Sequence, residues 1–283
     1  MRVAVTGTRG FVGGAVARAL AERGHEVDAY TRQRWDITAG AIEGRADAVV
    51  HCAALADDRA PRADAVRANV IGTRNAVASF PGARFVHLST SSVYDAFAPT
   101  RRARDDEPLP TRFLSTYSES KAIAETAVPA DGVVLRPHAV YGPGDTTLLP
   151  RVLEAVRGNR LVLPAGAAVP HTLTHIRNLV DAVELALTGP PGTYNVGDDG
   201  DVLLADVLRE FLDRRGRADV RIVDLPYRAA FAIAGFAERL PNPRLTRYAV
   251  SQLGLERTLD LGTARQRLGY RPTATSLAGA EDW

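Results

Sequence analysis

Arg2-Val3-Ala4-Val5-Thr6 is a short apolar run, Gly7-Thr8-Arg9-Gly10-Phe11-Val12-Gly13 is a glycine-rich turn, and 11–22 has apolar residues at helical spacing until Gly24 stops it. The stretch predicts a strand, a turn and a helix in succession. In that arrangement the turn's backbone amides and the positive helix end receive a pyrophosphate, and side chains at the three glycines would block its approach. A three-glycine turn is a weak signal by itself, and its place between strand and helix shifts the expectation to a dinucleotide. Gly7, Thr8, Arg9, Gly10, Phe11, Val12 and Gly13 are the first candidate binding residues.

Outward from this unit the pattern repeats. Segments 26–31, 48–52, 85–88, 132–135 and 193–196 are strand-like runs, separated by segments long enough for crossovers. The class is therefore α/β, with a doubly wound parallel sheet whose strands end together at the edge where ligands bind. After Pro137 the texture changes: Pro143, Pro150, Pro164 and Pro170 interrupt it, with helical spacing at 148–157, 177–187 and 202–215. We expect residues 1–140 and 174–197 to form the dinucleotide-binding domain. Residues 141–173 and 198–283 are expected to form a smaller, mainly helical C-terminal substrate domain.

The composition excludes several classes. Of the 283 residues 46% are hydrophobic and 24% charged, as in a soluble globular protein, and the net charge of +2 shows no basic runs for nucleic acid. No apolar stretch is long enough for a bilayer and no leader precedes 2–6, so a cytoplasmic protein without a membrane partner is expected. A homodimer is compatible with the sequence. Cys52 is the only cysteine and is read as core packing, and no histidine pair has metal-ligand spacing beside a carboxylate, so no metal is assigned. Lys121 is the only lysine among 35 basic residues. In an arginine-rich chain this suggests a position where a guanidinium will not serve.

The second strand ends Ala29-Tyr30-Thr31-Arg32. An NAD enzyme usually has a carboxylate there for the ribose 2'-hydroxyl, but this chain has Thr31. Arg32 and Arg9 can clamp a 2'-phosphate instead, so NADP is expected over NAD. Asp28 lies mid-strand, and a register shift of three would reverse that expectation. Asp36 accepts from the adenine amine or caps a turn.

Tyr117-Ser118-Glu119-Ser120-Lys121 has helical spacing, and a separation of four puts phenol and ammonium on one face. A nearby cation favours the phenolate, so Lys121 is expected to lower the pKa of Tyr117. Leu88-Ser89-Thr90-Ser91-Ser92-Val93-Tyr94 offers hydroxyls at the ligand edge to bind a carbonyl oxygen, Thr90 first and Ser91 second; turn chemistry is the alternative.

Taken together, these motifs resemble the extended short-chain dehydrogenase/reductase family, the NAD-dependent epimerase/dehydratase family, nearly along the whole chain. The resemblance includes His51-Cys52-Ala53-Ala54, Asn69-Val70-Ile71-Gly72-Thr73, Arg136-Pro137 leading to Tyr141-Gly142-Pro143-Gly144, Tyr194-Asn195-Val196-Gly197 and Leu268-Gly269-Tyr270-Arg271-Pro272. It implies a Rossmann fold and hydride transfer at a nicotinamide, with Tyr117 as acid or base, Thr90 polarising the carbonyl, and Lys121 binding ribose and tuning Tyr117. Ile37, Ala53, Ala54, Leu55, Asn69, Pro137, His138 and Val140 would line the cofactor.

Dehydrating members have an Asp-Glu pair after the active threonine, because elimination needs its own acid and base. Ser91 and Ser92 stand there, which argues against dehydration. Sugar-nucleotide members place asparagine where this chain has Ala139, and arginine where it has residues 171–174. The expected reaction is therefore NADP(H)-dependent reduction of a ketone, or oxidation of the alcohol, on a bulky apolar or polycyclic small molecule such as a steroid, polyketide or terpenoid. Members resembling 3β-hydroxysteroid dehydrogenases and NADPH-dependent reductases are the nearest in character. Phe113, Leu114, Leu148, Leu149, Phe231 and Phe236 are candidate pocket residues, or core. The alternatives are a nucleotide-sugar 4-epimerase or 4-ketoreductase and a non-catalytic NADP-binding regulator.

Overall fold

The computed structural model describes residues 1–240 and 245–283. Six parallel strands form the central sheet in the order Gly192–Val196, Val133–Pro137, Arg84–Leu88, Ala48–His51, Arg2–Thr6, Glu26–Tyr30. This is a doubly wound Rossmann sheet, as the apolar runs predict. The chain leaves Arg2–Thr6 toward one edge and returns on its other side, so the switch point lies between that strand and Ala48–His51. Ligands of such sheets bind in the crevice outside the strand ends at this point.

Side chains alternate across the sheet. Val3, Val5, Ala48, Val50, Val86, Val133 and Leu135 pack on one face with Val16 and Leu20 of helix Phe11–Glu22 and Leu179 and Val183 of helix Ile176–Thr188. Ala4, Val49 and Phe85 meet Ala76, Phe80, Trp35 and Ile37 on the other. By the same alternation Thr6 and His51, the last residues of their strands, and His87, one before the end of its own, turn to the second face, in register with one another. They form its polar end. The helical stretch beside them runs through Arg62–Ala65, the π-helical Val66–Ile71 and Gly72–Ser79, and it packs against helix Thr116–Glu125. A π segment inside a helix is frequent near functional sites.

In the C-terminal part, helices Leu149–Ala155 and Leu204–Arg214 build a second apolar core with Leu161, Leu163, Val220 and Leu277. Short strands stand beside the expected helices: Arg160–Pro164 pairs with Arg221–Leu225, and Thr100–Ala103, Arg257–Leu259, Pro170–His171 and Val202–Leu203 form a small sheet. Leu259, Leu261, Leu268 and Tyr270 pack into the first core. No helix among the described residues is long and apolar enough to cross a membrane.

Candidate active site

The glycine turn is built for a close approach. Gly7 has φ +73°, and a Cβ there would lie 2.7 Å from the Ala53 backbone. A Cβ on Gly13 would fall on the Gly7 carbonyl, so helix Phe11–Glu22 can start here only with glycine. No side chain caps that helix and its first turn has no acidic residue, which leaves the amides of Phe11 and Val12 for an anion, while the Gly10 amide closes the turn on the Gly7 carbonyl at 3.0 Å. The hydroxyl of Thr8 is buried without a hydrogen-bond partner among the described residues. Beside the turn, Thr6 Oγ1 accepts the Ala53 amide at 3.2 Å, and Asn69 clamps Leu55 by accepting its N–H at 2.7 Å and donating to its carbonyl at 3.2 Å. Asn69 also donates to Ser120 at 2.8 Å. One buried amide thus fixes the segment with Ala53, Ala54 and Leu55 to the helix with Tyr117 and Lys121.

At the second strand the register pairs Tyr30 with Thr6 and Asp28 with Ala4, so Asp28 stands mid-strand. Burial raises its pKa, but bonds from Arg2 at 2.8 Å and Arg34 at 3.4 Å outweigh this and keep the carboxyl below its ordinary value. Arg9 is exposed, and Arg32, with 83% of its side chain exposed, pairs among the described residues only with Asp36 at 3.2 Å. Asp36 caps its turn: the Thr38 amide and hydroxyl bond Oδ1 at 3.0 and 2.8 Å, which, with Arg32, lowers its pKa. Ile37 is buried against Gly72, and its carbonyl accepts from Asn75 at 2.7 Å.

Helix Thr116–Glu125 begins at Ser115, whose hydroxyl accepts the Ser118 amide. It places Tyr117 partly exposed and Lys121 buried one turn further on. Lys121 Nζ donates to the Leu88 carbonyl at 2.6 Å and lies 3.1 Å from His87 Nε2. An ammonium only donates, so His87 accepts at Nε2 and holds its own proton at Nδ1, which has no partner among the described residues. His87 stacks on His51 at 5.6 Å, and His51 Nδ1 meets Thr6 Oγ1 at 2.9 Å. Burial brings Lys121 down to about 8, with the Glu125 carboxylate opposing. Burial and then the Lys121 charge bring His51 down to about 3 and also hold His87 far below its usual value. Glu125 itself is locked by Arg136 at 2.9 and 2.6 Å and by Ser89 at 2.5 Å.

The expectation that Lys121 lowers the pKa of Tyr117 is corrected by this arrangement. Burial raises the phenol above its ordinary value, and the opposing influence is the hydroxyl of Thr90. The ammonium is turned to the floor of the site, to Leu88 and His87. Thr90 stands beside Tyr117; its Oγ1 accepts the Ser92 amide at 3.1 Å and donates to Ser92 Oγ at 3.1 Å. The turn reading of this cluster is thus also realised.

The side chain of His138 is not free for a cofactor. Nδ1 meets Ser91 Oγ at 2.9 Å and Nε2 meets His171 Nδ1 at 3.0 Å, all within the protein. His171 Nε2 has no partner among the described residues, and burial, then the charge of Arg257, brings His171 down to about 3. Pro137 ends the strand Val133–Pro137 and is buried, and Val140 opens a two-residue strand paired with Thr174–His175. Of the candidate pocket residues, Leu149 is core, Leu148 packs against that core, Phe231 packs against Ala230 and Val250, and Phe236 is 65% exposed. Phe113 and Leu114 are half-buried. Cys52 packs against the sheet core, and burial pushes its thiol up to about 12.

Sequence reasoning assigned no role to His51, His87, Glu125 or Tyr248, and set the Ser92 hydroxyl behind those of Thr90 and Ser91. Glu125 had a local signal, four residues beyond Lys121. The others meet only through strand order and tertiary packing.

Fold and site define a Rossmann-type α/β protein with Tyr117 and Lys121 one helical turn apart beside the end of strand Arg84–Leu88. A model of the NAD dependent epimerase/dehydratase family matches residues 3–197, and the chain belongs to that family. It is similar to the 4-hydroxy-2-methyl-3-oxo-4-farnesyl-3,4-dihydroquinoline-1-oxide ketoreductase of Stigmatella aurantiaca, with 32% identity covering 99% of this chain and 95% of that one. With 29% identity over 97% of this chain and 87% of the other, it is similar to a 3 beta-hydroxysteroid dehydrogenase/Delta 5-->4-isomerase of Mycobacterium tuberculosis. Among solved structures, dTDP-4-dehydrorhamnose reductase from Bacillus anthracis in complex with NADP superposes with a TM-score of 0.75 at 20% identity, covering 99% of this chain and 97% of that one. That likeness speaks to the fold.

Proposed function

We propose that the protein is an NADP(H)-dependent oxidoreductase that reduces a ketone, or oxidises the alcohol, on a bulky apolar or polycyclic small molecule. The observation behind this reading is the partly exposed Tyr117 phenol beside Thr90, with the chain's only lysine one helical turn behind it. The glycine turn, the uncapped helix and the unpaired Thr8 hydroxyl fit a dinucleotide pyrophosphate. Arg9 and Arg32 favour the 2'-phosphate form: one is free of ion pairs among the described residues, and the other has only an exposed pair, which exchanges at little cost. Asp28 is too far down its strand, and too engaged, to select a 2'-hydroxyl.

The nicotinamide, when bound, supplies or accepts the hydride. Tyr117, kept protonated by burial, gives its proton to the carbonyl oxygen in reduction. Thr90, turning its hydroxyl proton from Ser92, holds that oxygen beside the phenol. The charge of Lys121, held by Leu88, His87 and Glu125, becomes useful once Tyr117 is a phenolate one turn away. His138 and His171 hold Ser91. Burial and the charge of Arg257 keep His171 neutral, and His138 bridges it to the Ser91 hydroxyl at 3.0 and 2.9 Å, so the two rings fix where that hydroxyl stands. A sugar-nucleotide substrate is disfavoured because His171, where such enzymes bind diphosphate, is buried against His138.

The two curated relatives are named for a 3-oxo ketoreductase and a hydroxysteroid dehydrogenase, which supports the reaction and the apolar substrate class. The test is consumption of NADPH against steroid, quinolone and polyketide-type ketones, with NADH alongside. Turnover of several such ketones is expected. Binding of nucleoside diphosphates, with no ketone reduced, would move the assignment to the nucleotide-sugar alternative.

A further inference from the structure

Helix Tyr227–Ala237 has a single charged residue, Arg228, among its 11. A helix so apolar all round is ordinarily enclosed on every side. This one is enclosed on one side only. Ala230 and Ala234 are buried and, with Tyr227 and Phe231, pack on Leu225, Leu245 and Val250. On the opposite face Ala229, Ala232, Ile233 and Phe236 are exposed, and the turn after the helix adds Leu240. Ile233 is 52% exposed, Phe236 65% and Leu240 56%, so three of the eight large hydrophobic side chains exposed among the described residues lie within 233–240. Apolar residues scattered singly over a surface need no explanation, but a contiguous group marks a contact.

The edge of the face indicates what it meets. Arg228 and Arg239 are both exposed and stand about three helical turns apart, on one side of the apolar stripe. Glu238, the acid beside them, is occupied by Arg247, whose amide and Nε each bond it at 2.7 Å. The face is thus apolar with a cationic border. A second copy of the helix laid antiparallel on it by two-fold symmetry would set arginine against arginine along that border, with no carboxylate to receive them. Between the borders no side chain can donate or accept a hydrogen bond, so nothing fixes the register of a protein partner. A bilayer asks for no register.

We propose that the exposed face of helix Tyr227–Ala237 docks on an anionic lipid bilayer, lying in its plane with Ile233, Phe236 and Leu240 in the acyl boundary and Arg228 and Arg239 at the phosphates. The helix is about 16 Å long, too short to cross a bilayer. The expectation of no membrane partner rested on the lack of a spanning stretch, and a helix in the interface needs none. The docking face lies close to the candidate site: the helix packs on Arg247–Gly254, whose Tyr248 phenol lies 2.8 Å from Ser92. A bulky apolar substrate dissolves in the same lipid phase. That last link rests on the ketone-reductase reading above, and the docking itself does not.

The experiment floats the full chain with vesicles of phosphatidylcholine alone and of phosphatidylcholine mixed with phosphatidylglycerol, at low and high salt. The wild type is expected to bind the mixed vesicles the more tightly, and less so at high salt. Ile233→Ser with Phe236→Ser should weaken that binding about tenfold or more, as two half-exposed apolar side chains lose their place in the lipid. Arg228→Gln with Arg239→Gln should bring binding to the mixed vesicles down to that on phosphatidylcholine alone. Thermal melting checks that each variant is folded; should the serine pair fail, Phe236→Ser alone is measured, with the same direction expected. No binding by the wild type, or binding that the serine pair leaves unchanged, overturns the proposal. So does a wild-type dimer in light scattering that the serine pair makes monomeric, which would give the face to a second copy. No turnover is read in this experiment, so its failure leaves the ketone-reductase reading standing, and failure of that reading leaves the docking.

Discussion

Replacing Lys121 by methionine keeps a long stem and removes the ammonium, and its effect on stability follows from one number. Burial lowers Lys121 from 10.5 to about 8 in the folded chain. The folded value lies below the unfolded one, so between about 8 and 10.5 the unfolded chain binds more protons, and stability rises with pH across that window. Below it the full cost of burying the charge is present. A shift of that size corresponds to about 3 kcal/mol, in order of magnitude. Methionine also leaves the Leu88 carbonyl and His87 Nε2 without their donor, a cost of roughly 1–3 kcal/mol each that does not vary with pH here, since His87 is neutral throughout. The pH-dependent part is therefore separable. Urea unfolding of wild type and Lys121→Met at pH 7, 8.5 and 10.5 should show the wild type gaining about 3 kcal/mol on the variant as pH rises. Tyrosines that titrate in the same range cancel in the difference. Two curves that stay parallel would refute the buried-ammonium account.

Other expectations concern the cofactor, the proton and acid. Tyr117→Phe should bind NADPH as the wild type does, by fluorescence titration, while kcat falls about 10²–10⁴-fold; an unchanged rate would remove tyrosine from the mechanism. Arg32→Ala should weaken NADPH about tenfold or more and NADH little, and equal losses would refute the phosphate clamp. Folded-state values near 3 for His51 and His171, against 6.5 when unfolded, make the unfolded chain the better proton acceptor as pH falls below 6.5. His87 and His138 are lowered as well, so circular dichroism should record cooperative unfolding between about pH 5 and 4, and an intact fold at pH 3 would contradict their burial as neutral rings.

The sheet was legible because parallel strands covered on both faces read as unbroken apolar runs, as in Ala48-Val49-Val50 and Val133-Val134-Leu135. The glycine turn and the Tyr117–Lys121 pair were legible because their geometry is local. His51 and His87 were not: they become neighbours only when strands Ala48–His51 and Arg84–Leu88 pair in register. Tyr248 reaches Ser92 across 156 residues, and no periodicity announces such a contact. Three-residue Arg257–Leu259 is too short for a pattern, and so the small sheet went unread. Helical spacing predicted that Tyr117 and Lys121 share a face, but it says nothing of burial, and burial decides the sign of the shift on Tyr117.

The account stands most directly on transfer of hydride to a ketone carbon with Tyr117 supplying the proton. With NADPH deuterated at the nicotinamide C4 and a 3-oxo ester as substrate, mass spectrometry of the product should find one deuterium at the carbinol carbon with the wild type and almost none in the same time with Tyr117→Phe. Equal labelling by both proteins, or product alcohol formed without deuterium from either face of the ring, would contradict it.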